Sequence, residues 1–116
     1  MKVIESELVC FFDVDMTLLM EAKRGDVGAI MYVDVAGSTC YGVPHKVHID
    51  QVKKHYARGY TNIVWSGNGY KHAKIVVELL GLENYVDFVM SKSIKYWDDL
   101  EDANNILTNR VYLKDN

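Results

Sequence analysis

Cysteine is scarce in this chain: only Cys10 and Cys40 occur, in unlike settings. That pattern excludes a disulfide framework and a paired-cysteine zinc site, so both are read as free thiols. No apolar run approaches the ~20 residues that a membrane-spanning helix needs. The opening MKVIESELVCFFDVD breaks its apolar character with Glu5 and Glu7, which denies it the continuous hydrophobic region of a secretion signal. A cytoplasmic, reducing setting without a membrane partner is therefore expected. Neither sign of charge dominates, with 13 basic against 16 acidic residues and a net charge of −3, so the bulk composition supplies no strong pull toward nucleic acid. Internal repeats, low-complexity tracts and linkers are also missing, and 116 residues that are 49% hydrophobic suit one domain, 1–116, around a single core.

What is present alternates between strand and helix signals. Leu8 to Phe12 is a short, intensely apolar run that reads as a strand buried on both faces, and it ends on acidic residues. Four glycines then surround the β-prone run Ile30 to Val35, which predicts an irregular insertion over about 18–44 containing a small β-hairpin, a candidate flap after strand one. After Pro44, the only proline, HKVHIDQVKKHYARG predicts a helix with Val47 or Ile49, Val52 and Tyr56 on its inner face, ended by Gly59. TNIVWS reads as a second buried strand. YKHAKIVVELL reads as a helix with Ala73, Val76, Val77 and Leu80 at core spacing, ended by Gly81. Val86 to Met90, Ile94 to Trp97 and Val111 to Leu113 predict further strands, with a helix over DLEDANNIL. The fold class is α/β, a Rossmann-like and mainly parallel sheet flanked by helices, which binds ligands beyond the carboxyl ends of its strands.

Chemistry-bearing residues gather at those ends. Asp13 and Asp15 in DVDMT follow the first strand, where two carboxylates have no apolar role and concentrate negative potential suited to a divalent cation, Mg²⁺ in particular. Asp13 is placed to attack phosphorus in line. Asp15 is placed to protonate the leaving oxygen and later to activate water. Ser66 and the amides of Gly67, Asn68 and Gly69 precede a helix and suit phosphate oxygens. Lys92, with Lys95 as a rival, supplies positive charge, and Asp98 and Asp99 complete an oxygen shell or orient water. His45 and His48 lack a third ligand at zinc spacing and are read as packing residues. KKHYARGY is read as a solvated helical face rather than a nucleic-acid contact. Trp65 and Trp97 adjoin the site segments, either walling a pocket or anchoring the core.

The order FFDVDMT, IVWS, Lys92 and WDD resembles the four motifs of the haloacid dehalogenase superfamily, over most of the chain outside 18–44. That resemblance implies a Mg²⁺-dependent phosphatase acting on a phosphomonoester. Asp13 is then the nucleophile, Asp15 the general acid and base, and Thr17 a support at the phosphate-binding loop. Ser66, Gly67 and Lys92 become phosphate ligands, Asp98 or Asp99 a metal ligand, and the Asp15 carbonyl a further metal donor. An aspartate two residues after the nucleophile marks the family's phosphatases, because its dehalogenases lack that acid. Two features depart from the usual pattern. Five residues separate Lys92 from Asp98, too few for the helix many relatives carry there, although compact relatives encoded by phages and bacteria do so. A large cap domain is also missing, which in the family goes with an open site for a phosphorylated macromolecule or with a neighbouring subunit as lid. The expected partner is a phosphorylated small molecule or nucleotide, or such a macromolecule. Two alternatives stand beside this reading: a phosphoacceptor signalling domain resembling receiver modules, and a catalytically degenerate binding protein.

Overall fold

A computed structural model describes residues 1–92, 95, 97 and 111. Apart from Lys95, Trp97 and Val111, the expected strands over Ile94 to Trp97 and Val111 to Leu113 lie outside the described residues, as do the helix over DLEDANNIL and Asp98 and Asp99. Within them the chain is a small α/β domain. Its element order is β1 (Val9–Asp13), β2 (Leu19–Glu21), β3 (Ile30–Val33), β4 (Thr39–Pro44), α1 (Lys46–Ala57), β5 (Thr61–Ser66), α2 (Tyr70–Leu79) and β6 (Phe88–Ser91). Strands β1, β5 and β6 form a parallel sheet in the order β1-β5-β6. Strands β2, β4 and β3 form a second, antiparallel sheet in the order β2-β4-β3.

The parallel sheet is centred on TNIVWS. Asn62, Ile63, Val64 and Ser66 are all buried there, as expected for a strand with neighbours on both sides and helices packed against it. The first strand departs from expectation: Phe12 is buried, but Val9 is exposed and Cys10 and Phe11 are half-buried. Among the described residues β1 has one sheet neighbour, β5, which accounts for its lesser cover. Phe12, Val14, Leu18, Val52, Val64, Ala73 and Val76 form the centre of the core, joined by Leu82. Leu80 only packs against that cluster.

Asn62 ties the layers together. Its fully buried amide donates from Nδ2 to the carbonyls of Val52 in α1 and Tyr85 ahead of β6, both at 2.9 Å. Its backbone N–H donates to the Asp87 carboxylate at 2.8 Å. Asn62→Ala removes both side-chain bonds and opens a void, a loss partly offset by removing Oδ1, which is buried without a partner among the described residues, so it is expected to cost about 1–3 kcal/mol in urea-melt stability; a change within error would show that these bonds contribute nothing net.

The segment 18–44 is more regular than the expected hairpin, because β2 adds a third strand alongside β4. Gly42 makes that addition possible. A Cβ there would lie 2.6 Å from Leu19 Cγ, closer than any real contact, and Leu19 is buried beneath it. Gly42→Ala is therefore expected to lower stability by about 1–3 kcal/mol through overpacking, measured by thermal melting. An unchanged melting temperature would mean that the Leu19 side chain moves aside without cost.

Candidate active site

The parallel register brings three chain segments to one end of the sheet. Asp13 pairs with Trp65 and Ser66 pairs with Ser91, so the residues following β1, β5 and β6 emerge together. Sequence alternation then sorts the first acidic pair. Phe12 and Val14 are buried, which turns the intervening Asp13 to the partly open end of the strand and leaves Asp15 exposed beyond it.

The loop carrying Asp15 is tightly closed. The Val14 carbonyl accepts from the N–H groups of Thr17 and Leu18 at 3.1 and 2.9 Å, and Met16 N–H donates to Leu19 at 2.9 Å. Met16 has φ of 62°, a left-handed conformation that costs a non-glycine residue on the order of 1 kcal/mol. Two features brace the loop. The Thr17 hydroxyl donates to Asp13 Oδ2 at 3.2 Å, and the His48 ring contacts the Thr17 carbonyl through Nδ1 at 2.6 Å. His48 is in turn held at the start of α1, where its N–H donates to the N-capping His45 ring and the two rings stack with centroids 3.4 Å apart. The histidine pair thus serves packing and loop support.

Lys92 reaches Asp13, with Nζ 2.9 Å from Oδ1, and its backbone N–H donates to the Ser66 carbonyl at 2.9 Å. Its rival Lys95 lies over the Trp97 ring, 5.2 Å from the centroid. Trp65 packs against Phe11, ring centroids 4.3 Å apart, and its ring also lies 6.0 Å from Lys92 Nζ. Ser66 is buried, and its Oγ accepts from the Asn68 N–H at 3.0 Å. Gly67 follows it in the open, where a Cβ would meet nothing within 4 Å. Gly69, at φ of 97°, turns the chain into α2. Ser91 Oγ accepts the Tyr70 N–H at 2.9 Å, fixing the first turn of α2 against the end of β6.

Two contacts to Asp15 were not anticipated. Asn68 Nδ2 donates to Oδ2 at 2.7 Å, and His72 Nε2 lies 2.9 Å from Oδ1. Both oxygens of Asp15 are thereby oriented from the β5–α2 side, while Asp13 is oriented by Lys92 and Thr17. One carboxylate has a cationic partner and a hydroxyl; the other has an amide and an imidazole. The signal for His72 was its place on the core-facing side of α2, beside Ala73 and one turn before Val76.

A cleft of about 520 Å³ opens from Asp15 toward the antiparallel sheet, reached by Asn68 and His72 on one side and by Tyr32, Asp34, Cys40 and Tyr41 on the other. Asp34 closes the β3–β4 turn, accepting the Ser38 N–H on Oδ1 at 2.8 Å and approached by Cys40 Sγ at 3.6 Å. The Ser38 N–H holds the Asp34 carboxyl below the usual range, helped by the Cys40 contact, so it is ionised near neutrality. Burial, followed by the neighbouring Asp34 charge, pushes the Cys40 thiol up. Tyr32 is likewise raised, chiefly by desolvation and then by Cys40 and Asp15, and remains a phenol donor.

A metal reading rests on this donor set. Mg²⁺ takes oxygen ligands and is commonly held by only one or two carboxylates together with water and substrate phosphate. Asp13 and Asp15 supply such donors and are 36% and 45% exposed at their side chains. Among the described residues no group of three or more His, Cys, Asp or Glu side chains is positioned to hold a metal. The expected third contributor, Asp98 or Asp99, lies outside them.

By fold and site, the chain is a small α/β domain with an acidic centre at the carboxyl ends of a parallel sheet. Comparison with protein-family models, curated proteins and solved structures finds no match. Among the described residues no helix is long and apolar enough to cross a membrane.

Proposed function

We propose that this protein is a Mg²⁺-dependent phosphatase of the haloacid dehalogenase type, hydrolysing a phosphomonoester through an aspartyl-phosphate on Asp13, with the antiparallel sheet as a flap beside the site. The observation that carries the reading is the division of labour between the two carboxylates. Asp13 lies against Lys92, whose ammonium is placed to balance the charge of an approaching phosphoryl group. Asp15 stands two residues on, oriented by Asn68 and His72 and facing the cleft.

In the first step Asp13 Oδ bonds to phosphorus as the ester P–O bond breaks, and Asp15 gives its proton to the departing alcohol oxygen. In the second, Asp15 takes a proton from water, the water oxygen bonds to phosphorus, and the P–Oδ bond breaks to release phosphate. Thr17 holds the Asp13 carboxylate through its hydroxyl, and the Ser66 hydroxyl with the Gly67 N–H suits the non-reacting phosphoryl oxygens, the Asn68 and Gly69 N–H groups being taken up by Ser66 within the turn. Mg²⁺ would be held by Asp13, by Asp15 through its carbonyl, and by Asp98 or Asp99, and its chemistry when bound is to neutralise charge between carboxylate and phosphate.

The test is phosphate release from p-nitrophenyl phosphate and a panel of alkyl phosphomonoesters, with Mg²⁺ and with chelator. Release that requires Mg²⁺ is the expected result. Absence of release from every ester at high enzyme concentration would contradict the reading.

A further inference from the structure

Building on the phosphatase reading, we infer that the cleft beyond Asp15 selects a nucleoside-like leaving alcohol without a second anionic group, making nucleoside monophosphates the preferred substrate class and bisphosphates or polynucleotide ends disfavoured ones.

The argument begins with direction. The proposed phosphoryl position lies at Asp13 and Lys92, and the proton donor Asp15 belongs to the rim of the cleft, so the alcohol that accepts its proton extends into that cleft. Its volume of about 520 Å³ fits one small organic group and falls within the roughly 300–1,000 Å³ usual for such sites. Tyr32 and Tyr41 contribute aromatic rings suited to a flat ring system, and Met16 and Met20 contribute adaptable apolar surface.

Charge supplies the discrimination. Beside the proton donor Asp15, the carboxylates of Glu21 and Asp34 line the cleft, whereas no lysine or arginine does so among the described residues. The His72 imidazole is engaged by Asp15. Carboxylates accept hydrogen bonds from hydroxyl and amino groups but repel a second phosphate, which would also lose its hydration without gaining a cation. A polynucleotide end carries a phosphodiester charge on the adjoining residue and meets the same repulsion. Asp34 is fixed for this task by the Ser38 N–H and is ionised at working pH.

The experiment has two arms on the full chain. In the first, kcat/KM is compared for adenosine 5′-monophosphate, adenosine 3′,5′-bisphosphate and a 5′-phosphorylated dinucleotide, using wild type, Asp34→Asn and Glu21→Lys. Wild type is expected to favour the monophosphate by roughly tenfold or more, and Glu21→Lys to compress that ratio several-fold. In the second arm, adenosine alone is titrated and amide NMR shifts are followed. Shifts clustered at Tyr32, Asp34, Cys40 and Tyr41 are expected, independently of any turnover. Phosphomonoester turnover with no charge preference, or with the bisphosphate or dinucleotide preferred, would overturn the substrate class while leaving the phosphatase intact. Absence of adenosine shifts at the cleft would overturn it whether or not the protein is a phosphatase. Adenosine shifts at the cleft without turnover of any ester would leave the nucleoside site standing and count against the phosphatase reading alone.

Discussion

Asp13→Asn is expected to lower kcat for every phosphomonoester by on the order of 10³-fold or more, with the melting temperature nearly unchanged. The amide has the shape of the carboxylate and keeps an oxygen to accept the Thr17 hydroxyl, but it is not a nucleophile toward phosphorus. Loss of a residue that forms the covalent intermediate removes the reaction path itself, which is why the effect exceeds that of a lost binding contact. The stability side follows from exposure. The Asp13–Lys92 pair is 36% and 41% exposed, and partly solvated pairs of this kind contribute about 1 kcal/mol or less. Steady-state kinetics beside thermal melting separates the two effects. A variant retaining more than a tenth of wild-type kcat would remove Asp13 from the nucleophile's role.

Asp15→Asn is expected to have the second largest effect, one that depends on the leaving group. For an alkyl ester the departing alkoxide needs a proton, and loss of a positioned acid costs about 10²–10⁴-fold. For p-nitrophenyl phosphate the phenolate departs without help, so the first step is largely preserved. The second step still lacks its base, and phosphorylated enzyme accumulates. A burst of nitrophenolate followed by slow turnover is therefore expected with the aryl ester, and near-silence with the alkyl ester. Equal losses on both substrates without a burst would show that Asp15 serves orientation or metal binding rather than proton transfer.

The fold was legible in the sequence where hydrophobic patterning decides it. The segments expected as strands and helices at 8–12, 45–59, 61–66 and 70–80 match β1, α1, β5 and α2 to within a residue or two at each end. Patterning was less informative where polar side chains are buried with partners. On α1, where Val47 or Ile49, Val52 and Tyr56 were expected inside, Val52 is buried and Ile49 packs against the core, but Val47 and Tyr56 are exposed and His48 is buried, its ring meeting the Thr17 carbonyl. His72 was passed over for the same reason: periodicity counts histidine as polar, but Asp15 supplies its partner. The last described strand begins at Phe88 rather than Val86, since parallel register with Ile63–Ser66 sets its start and Asp87 is spent on Asn62.

The candidate site was legible to a different degree at each position. Asp13, Thr17, Ser66 and Lys92 could be singled out because polar residues just after apolar strands have few other uses, and the structure brings Lys92 rather than Lys95 to Asp13. Asn68 was noted for its backbone alone; its side-chain bond to Asp15 depends on how the β5–α2 turn folds over the first loop. The cleft could not be read at all, because Tyr32, Asp34 and Cys40 belong to a local hairpin whose placement beside Asp15 depends on contacts distant in sequence, Leu19 against Gly42 among them.

The central claim is that Asp13 carries the phosphoryl group. Mixing the Asp15→Asn variant with p-nitrophenyl phosphate and Mg²⁺, quenching in acid within milliseconds to seconds, and mapping the peptides by mass spectrometry tests it most directly. The account predicts one added phosphoryl group on the peptide containing Asp13, localised to that carboxylate and absent when Asp13→Asn is combined with the first substitution. A stable phosphoryl group mapped to another residue, or steady turnover of the ester with no phosphorylated peptide at any quench time, would contradict it.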